Sequence, residues 1–181
     1  DAIQDLIGGK AKNLHKLLCA GFSVPAAFVI TNDSDYELET LSGFINSIGG
    51  YPVAVRSSCS LEDMANASFA GLYESYLNIN NDNELIDAIA KCFLSQNTDR
   101  VKNYLNVKNF SHTNQSMQMS VVIQKMIDAK ISGVLFTLNP TNGKDEEMLA
   151  ECCQGLGERL VSGHVSPTRL VYNWHEHKIV S

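Results

Sequence analysis

The run VAVRSSCSLEDMANASFAG, residues 53–71, is where residue types and spacing first suggest chemistry. A short apolar stretch ends in a cation, Arg56; hydroxyls, the acids Glu62 and Asp63, and small residues closing on Gly71 follow. An arginine at the end of a buried strand needs a partner, because an unpaired buried charge is costly. That partner is either Glu62 or Asp63, in a structural clasp, or a bound phosphate gripped by the planar guanidinium. The loop NASFAG, with Ser68 and Gly71, can lay backbone N–H groups over phosphate oxygens, or Gly71 is a plain turn residue. It has neither the G-x-x-x-x-G-K-[ST] nor the G-x-G-x-x-G pattern.

Lys10 offers a second cation. It follows Gly8-Gly9 at an expected helix start, where free N–H groups and the helix dipole favour an anion. The alternative is a solvated lysine on a first turn. In SVVIQKM, a strand leaves the core at Gln124, Lys125 and Met126. A nucleotide base can hydrogen-bond such a backbone between apolar walls at Ile123 and Met126, or the segment is an ordinary strand end. Glu151 and Glu158 flank a lone G-x-G; they are candidate ligands for magnesium or a ribose hydroxyl, or surface charges. His175 and His177 alternate on an expected strand without a third metal ligand nearby. His15, His112 and His164 form no arrangement with serine, cysteine or aspartate that spacing supports.

The elements that must carry these residues follow from apolar periodicity. Ala11, Leu14, Leu17 and Leu18 make a helical stripe, with Gly21 as its C-terminal cap and Pro25 as its stop. AFVIT is a short strand. Asn32 or Asp33 caps a second helix with Leu41, Phe44, Ile45 and Ile48 on one face, ended by Gly49-Gly50. YPVAVRS is a strand. LYESYLNIN alternates, with Tyr73, Ser75, Leu77 and Ile79 on one side and Glu74, Tyr76 and Asn78 on the other. A helix begins near Asp82 with Leu85, Ile89 and Phe93 inward, and another after Thr98 with Val101, Tyr104 and Leu105. FSHTNQS is a loop. From MSVVIQKMI onward the chain reads as strands, with one short helix at GLGERLVSG. The expectation is an α+β protein of two lobes, 1–124 and 125–181.

Composition limits the function. The 181 residues suit one domain or two small lobes, and 44% hydrophobic residues supply an ordinary core. A net charge of -6 argues against a general nucleic-acid binder. Five cysteines without C-x-x-C spacing, and no signal peptide, read as reduced thiols in a cytoplasmic protein. No apolar run reaches the roughly 20 residues that cross a membrane. The chain starts at Asp1 rather than Met, so a trimmed sequence is one reading of its start.

Taken in order, GGKAKNL, GFSVPAAFVIT, VAVRSS…ED…ASFAGLYESYLNI, VVIQKM, SGVLFT and GLGERLVSGHVSPTRLVY resemble one family. It is the N-terminal nucleotide-binding region of phosphoenolpyruvate synthase and pyruvate phosphate dikinase, shared with rifamycin phosphotransferases. The resemblance implies an ATP-grasp-like fold with ATP between two lobes, the second incomplete. It implies that Lys10 and Arg56 contact ATP phosphates, as the catalytic cations. The loop with Ser68 and Gly71 would cover the phosphates, the adenine would meet the backbone at Gln124, Lys125 and Met126, and Glu158 would lie in the family's GLGE block.

Two departures matter. The segment before VAVRSS is short, so a helical insert is expected to be missing. The segment that supplies Mg2+ ligands in the family, its phosphohistidine domain and its acceptor domain are not in the sequence, and T-S-x-x-x-x-H does not occur. The expected function is the ATP-binding portion of a phosphotransferase that passes phosphate through a histidine on another domain to pyruvate or a related acceptor. The alternatives are a nucleotide-binding or interaction domain without catalysis, and transfer to an antibiotic or natural product.

Overall fold

The computed structural model describes residues 7–32, 37–59, 74–98 and 119–180. Glu62, Asp63, Ser68, Gly71 and the helix expected after Thr98 lie outside them, as does the FSHTNQS loop. The chain divides into two compact units, Asp1–Met126 and Ile127–Ser181. Both are built on four-stranded sheets whose pairings are antiparallel, giving a mixed α/β protein.

The first unit contains α1 (Gly8–Cys19), β1 (Ala27–Thr31), α2 (Leu38–Ser47), β2 (Val53–Cys59), β3 (Ser75–Ile79), α3 (Asp82–Ser95) and β4 (Met119–Lys125). Its strands are ordered β1-β4-β2-β3. One sheet face carries Val53, Val55, Val121 and Ile123, which are fully buried against Leu41 and Ile45 of α2 and Leu85, Ile89 and Cys92 of α3. Burying each such aliphatic side chain contributes about 1.5–3 kcal/mol. α3 starts where Asn81 accepts a hydrogen bond from the Glu84 N–H at 3.0 Å, while Glu84 reaches back to the Asn80 N–H at 2.8 Å. That is a reciprocal cap on the first turn.

Four expectations change in this unit. The stripe of α1 is buried at Ala11 only, since Leu17 and Leu18 are 44% and 58% exposed. α2 begins at Leu38, past Asn32, and Glu37 precedes it without a side-chain cap. Phe44 turns out of the core to stack on Phe28, with ring centroids 5.2 Å apart, and Phe93 is only partly buried. Where β3 pairs with β2 the register slips between Val53 and Val55, which face Ile79 and Tyr76, and Asn78 of β3 adopts φ 56°. This bulge puts Tyr76 and Ile79 together on the core side, where strict alternation would separate them.

The second unit contains β5 (Ile131–Phe136), β6 (Glu147–Gln154), α4 (Glu158–Val161), β7 (Thr168–Asn173) and β8 (Lys178–Ile179), paired in chain order. His175 and His177 sit in the turn between β7 and β8 rather than on a strand, with His175 stacked on Trp174. Asn173 explains the turn, because its side-chain oxygen accepts the Glu176 N–H at 2.9 Å.

Candidate functional site

β2 pairs with β4 without a slip, so Ala54, Arg56 and Ser58 lie on the face opposite Val53 and Val55, which belong to the core. The register sets Arg56 opposite Val122, and Ser58 opposite Ser120 of β4. α1 packs on this second face. Ile7, which precedes the helix, makes no side-chain cap. The sheet holds this first turn instead: Ser58 Oγ accepts the Ala11 N–H at 3.2 Å and donates to the Ile7 carbonyl at 3.0 Å. Ser120 Oγ donates to the same carbonyl at 2.7 Å and lies 3.1 Å from the Ser58 carbonyl.

Gly8 makes this approach possible. Its φ is +68°, and a Cβ there would lie 2.4 Å from the Ser58 carbonyl oxygen. Helix and strand backbones therefore touch with no side chain between them. The start of α1, bearing Lys10, and the face bearing Arg56 are joined by this contact. Arg56 is half-buried, and no hydrogen bond or ion pair among the described residues is seen at its guanidinium. The positive charge of Lys10 acts on the Cys92 thiol. Burial and then Glu74 push that thiol up to about 12, while a Ser57 backbone hydrogen bond and Lys10 pull it the other way.

The strand end at Gln124 to Met126 is already engaged. Gln124 is buried and its amide donates to the Pro25 carbonyl at 3.2 Å. Lys125 Nζ donates to the carbonyls of Gly50 and Tyr51 at 2.9 and 2.8 Å. The Lys125 and Met126 N–H groups donate to Ala26 and Pro52. A base meeting this backbone would find carbonyl lone pairs rather than free N–H groups. Beside it, Ala11, Leu14, His15, Leu18, Val29 and Val122 line part of an apolar groove of about 520 Å³.

Glu158 belongs to the second unit, at the first position of α4, so Lys10, Arg56 and Gln124 share a unit and Glu158 does not. Glu151 is ion-paired to Arg169 at 2.7 Å across β6 and β7. Glu147, unmarked in the sequence reading, is largely buried and accepts bonds from Asn139, Asn142 and Lys144 at 2.8–2.9 Å. These bonds, that of Asn142 first, hold its carboxyl down at about 2. It closes the β5–β6 connection. Among the described residues no three His, Cys, Asp or Glu side chains come together to hold a metal ion.

Sequence reasoning missed Ser58 and Ser120. Ser58 was in view as part of VRSS, but a contact over 47 residues leaves no local spacing to read.

Residues 38–181 match the family model described as pyruvate phosphate dikinase, AMP/ATP-binding domain. The chain is similar to a phosphoenolpyruvate synthase of Aeropyrum pernix, 32% identical over 219 residues, covering 92% of this chain and 26% of that one. It is also similar to the uncharacterized phosphotransferase YvkC of Bacillus subtilis, 35% identical over 199 residues, covering 93% and 24%. Both alignments are longer than the chain's 181 residues, so each relative has residues that this chain lacks within the matched region. The chain spans about a quarter of the length of these relatives. Among solved structures, acetyl-coenzyme A synthetase 1 of Ca. Korarchaeum cryptofilum matches at 11% identity and TM-score 0.36, covering 91% of this chain and 66% of that one.

Proposed function

Because the chain belongs to the pyruvate phosphate dikinase AMP/ATP-binding domain family, we propose that it binds ATP with the triphosphate held between Lys10 and Arg56. The observation that carries this reading is the Ser58 contact, which joins the start of α1 to the strand face bearing Arg56. Two cations fixed on one scaffold oppose the charge of a triphosphate without reorganising. The loop with Ser68 and Gly71 covers the phosphates in this reading. The adenine amino group donates to a carbonyl within 124–126. In this reading 1–124 and 125–181 are the lobes of an ATP-grasp-like fold, and Glu158 is a nucleotide-binding residue.

In the whole protein, ATP gives its phosphoryl group to a histidine on another domain, which passes it to pyruvate or a related acceptor. The length of the relatives beyond the matched region supports such further domains. Phosphoryl transfer depends mainly on positioning and on cations around the moving group, which is the part Lys10 and Arg56 play. Among the described residues no three His, Cys, Asp or Glu side chains cluster, and no step is assigned to the metal. We place the protein in the cytoplasm, with no nucleic-acid or membrane partner.

Calorimetric titration of ATP with magnesium tests the site. Lys10→Ala and Arg56→Ala each remove a charge-assisted contact of about 1.5–3 kcal/mol, a loss of roughly tenfold to a hundredfold in affinity. Unchanged binding in both variants refutes the assignment.

A further inference from the structure

We propose that Ser58, seconded by Ser120, is a positioning residue for nucleotide binding: it sets Lys10 against Arg56 by anchoring the first turn of α1 to the sheet. The proposal rests on the phosphate reading above and assigns a role to residues that touch no nucleotide.

The first hydrogen bond of an α-helix joins an N–H to the carbonyl four residues back, here Ala11 to Ile7. The Ser58 hydroxyl, from 47 residues away, engages both ends of it: it accepts the Ala11 N–H and donates to the Ile7 carbonyl. Ile7 adds no side-chain cap of its own. Ser120, opposite Ser58 in register, gives that carbonyl a second donor. Both serines are 0% exposed, so water cannot replace either hydroxyl without opening the contact.

The geometry does more than satisfy polar groups. Arg56 and Ser58 are two residues apart on one strand, on the same face and roughly 7 Å from each other along it. Lys10 immediately precedes Ala11, whose N–H is the one captured. The path between the two cations therefore runs through one strand, one hydrogen bond and the first turn of a helix, with no loop in it. Lysine is a flexible point charge and arginine a rigid fork. Anchoring the backbone beneath the lysine limits where its charge can go, and small displacements of positioning groups are costly.

Ser57 gives the matching control. It is equally buried and on the same strand, but its hydroxyl donates to the Glu74 carbonyl at 3.0 Å, away from α1. The experiment is calorimetric titration of ATP with magnesium into the full chain and into Ser58→Ala, Ser57→Ala, Ser120→Ala, Lys10→Ala, Arg56→Ala and Ser58→Ala/Lys10→Ala, with amide exchange measured on α1. Loss of this buried anchor should weaken ATP binding about tenfold in Ser58→Ala and less in Ser120→Ala, with faster exchange at Ala11. Ser57→Ala should stay within about twofold of the parent. In the Lys10→Ala background, Ser58→Ala should have little left to remove.

Equal losses in Ser57→Ala and Ser58→Ala, or an undiminished Ser58→Ala effect without Lys10, overturn the positioning role. If Ser58→Ala does not fold, Ser120→Ala carries the test, and parent-like affinity there overturns the role. Losses in Lys10→Ala and Arg56→Ala with an unaffected Ser58→Ala refute positioning alone. No loss in either cation variant refutes the phosphate reading, and positioning with it.

Discussion

Replacing Gly8 with alanine should damage the first unit at the contact between α1 and β2. The new Cβ would sit 2.4 Å from the Ser58 carbonyl oxygen, 2.5 Å from its carbon and 2.6 Å from its Oγ. The first two belong to strand backbone, which cannot swing aside as a side-chain tip can. Forcing β2 and α1 apart resembles overpacking, about 1–3 kcal/mol, and holding alanine at φ +68° costs about 1–2 kcal/mol more. The total is about 2–5 kcal/mol. Gly21→Ala isolates the backbone cost, because Gly21 has φ +82° and nothing within 4 Å of its would-be Cβ. Urea unfolding followed by far-ultraviolet circular dichroism measures both variants, and ATP titration of the folded proteins measures the site. Gly8→Ala should be less stable than Gly21→Ala by about 1–3 kcal/mol and bind ATP more weakly. Equal stabilities together with equal ATP affinities would refute the reasoning.

Two further predictions concern groups away from α1. The Glu147 carboxyl titrates at about 2, below its ordinary 4.5, so its contribution to order is complete above the ordinary value and is lost as pH falls toward 2. Amide-exchange protection of residues 139–147, corrected for the intrinsic rate at each pH, should therefore fall between pH 4.5 and about pH 2 in the parent; in Glu147→Gln protection should be low already at pH 6 and change little on acidification. Lys125→Met keeps the apolar stem but removes the donors to Gly50 and Tyr51, which should lower stability by about 2 kcal/mol. ATP affinity should hold within about twofold, because the proposed adenine contact at Lys125 is to backbone. A large affinity loss with unchanged unfolding would contradict that prediction.

Much of the fold could be read from local pattern. AFVIT, VAVRS and SVVIQK are strands because each packs a nearly continuous apolar run against helices, and Gly21 ends α1 as expected. What escaped depends on distant contacts. Nothing in LYESYLNIN announces that Asn78 takes φ 56° and brings Tyr76 and Ile79 to one side. The leucines of α1 have helical spacing, but only the turn near Ala11 lies against the sheet, so Leu17 and Leu18 stay exposed. At the candidate site the residue types of Lys10 and Arg56 drew attention to themselves. The serine that links them did not, since a hydroxyl has many ordinary uses and this partnership exists only after β2 and β4 have paired.

The strand order β1-β4-β2-β3 has a consequence for synthesis. β4 lies between β1 and β2 yet is translated after all three of its sheet-mates, so a nascent chain cannot close this sheet until residues 119–125 have left the ribosome. Until then Val53, Val55 and Ile30 lack their neighbour, and a trigger for chaperone capture stays on display. The Ser58–Ser120 pair forms in that same late event, so the contact between α1 and β2 is completed only when the first unit has been fully translated. The later meander, whose strands pair in the order they are made, needs no such wait.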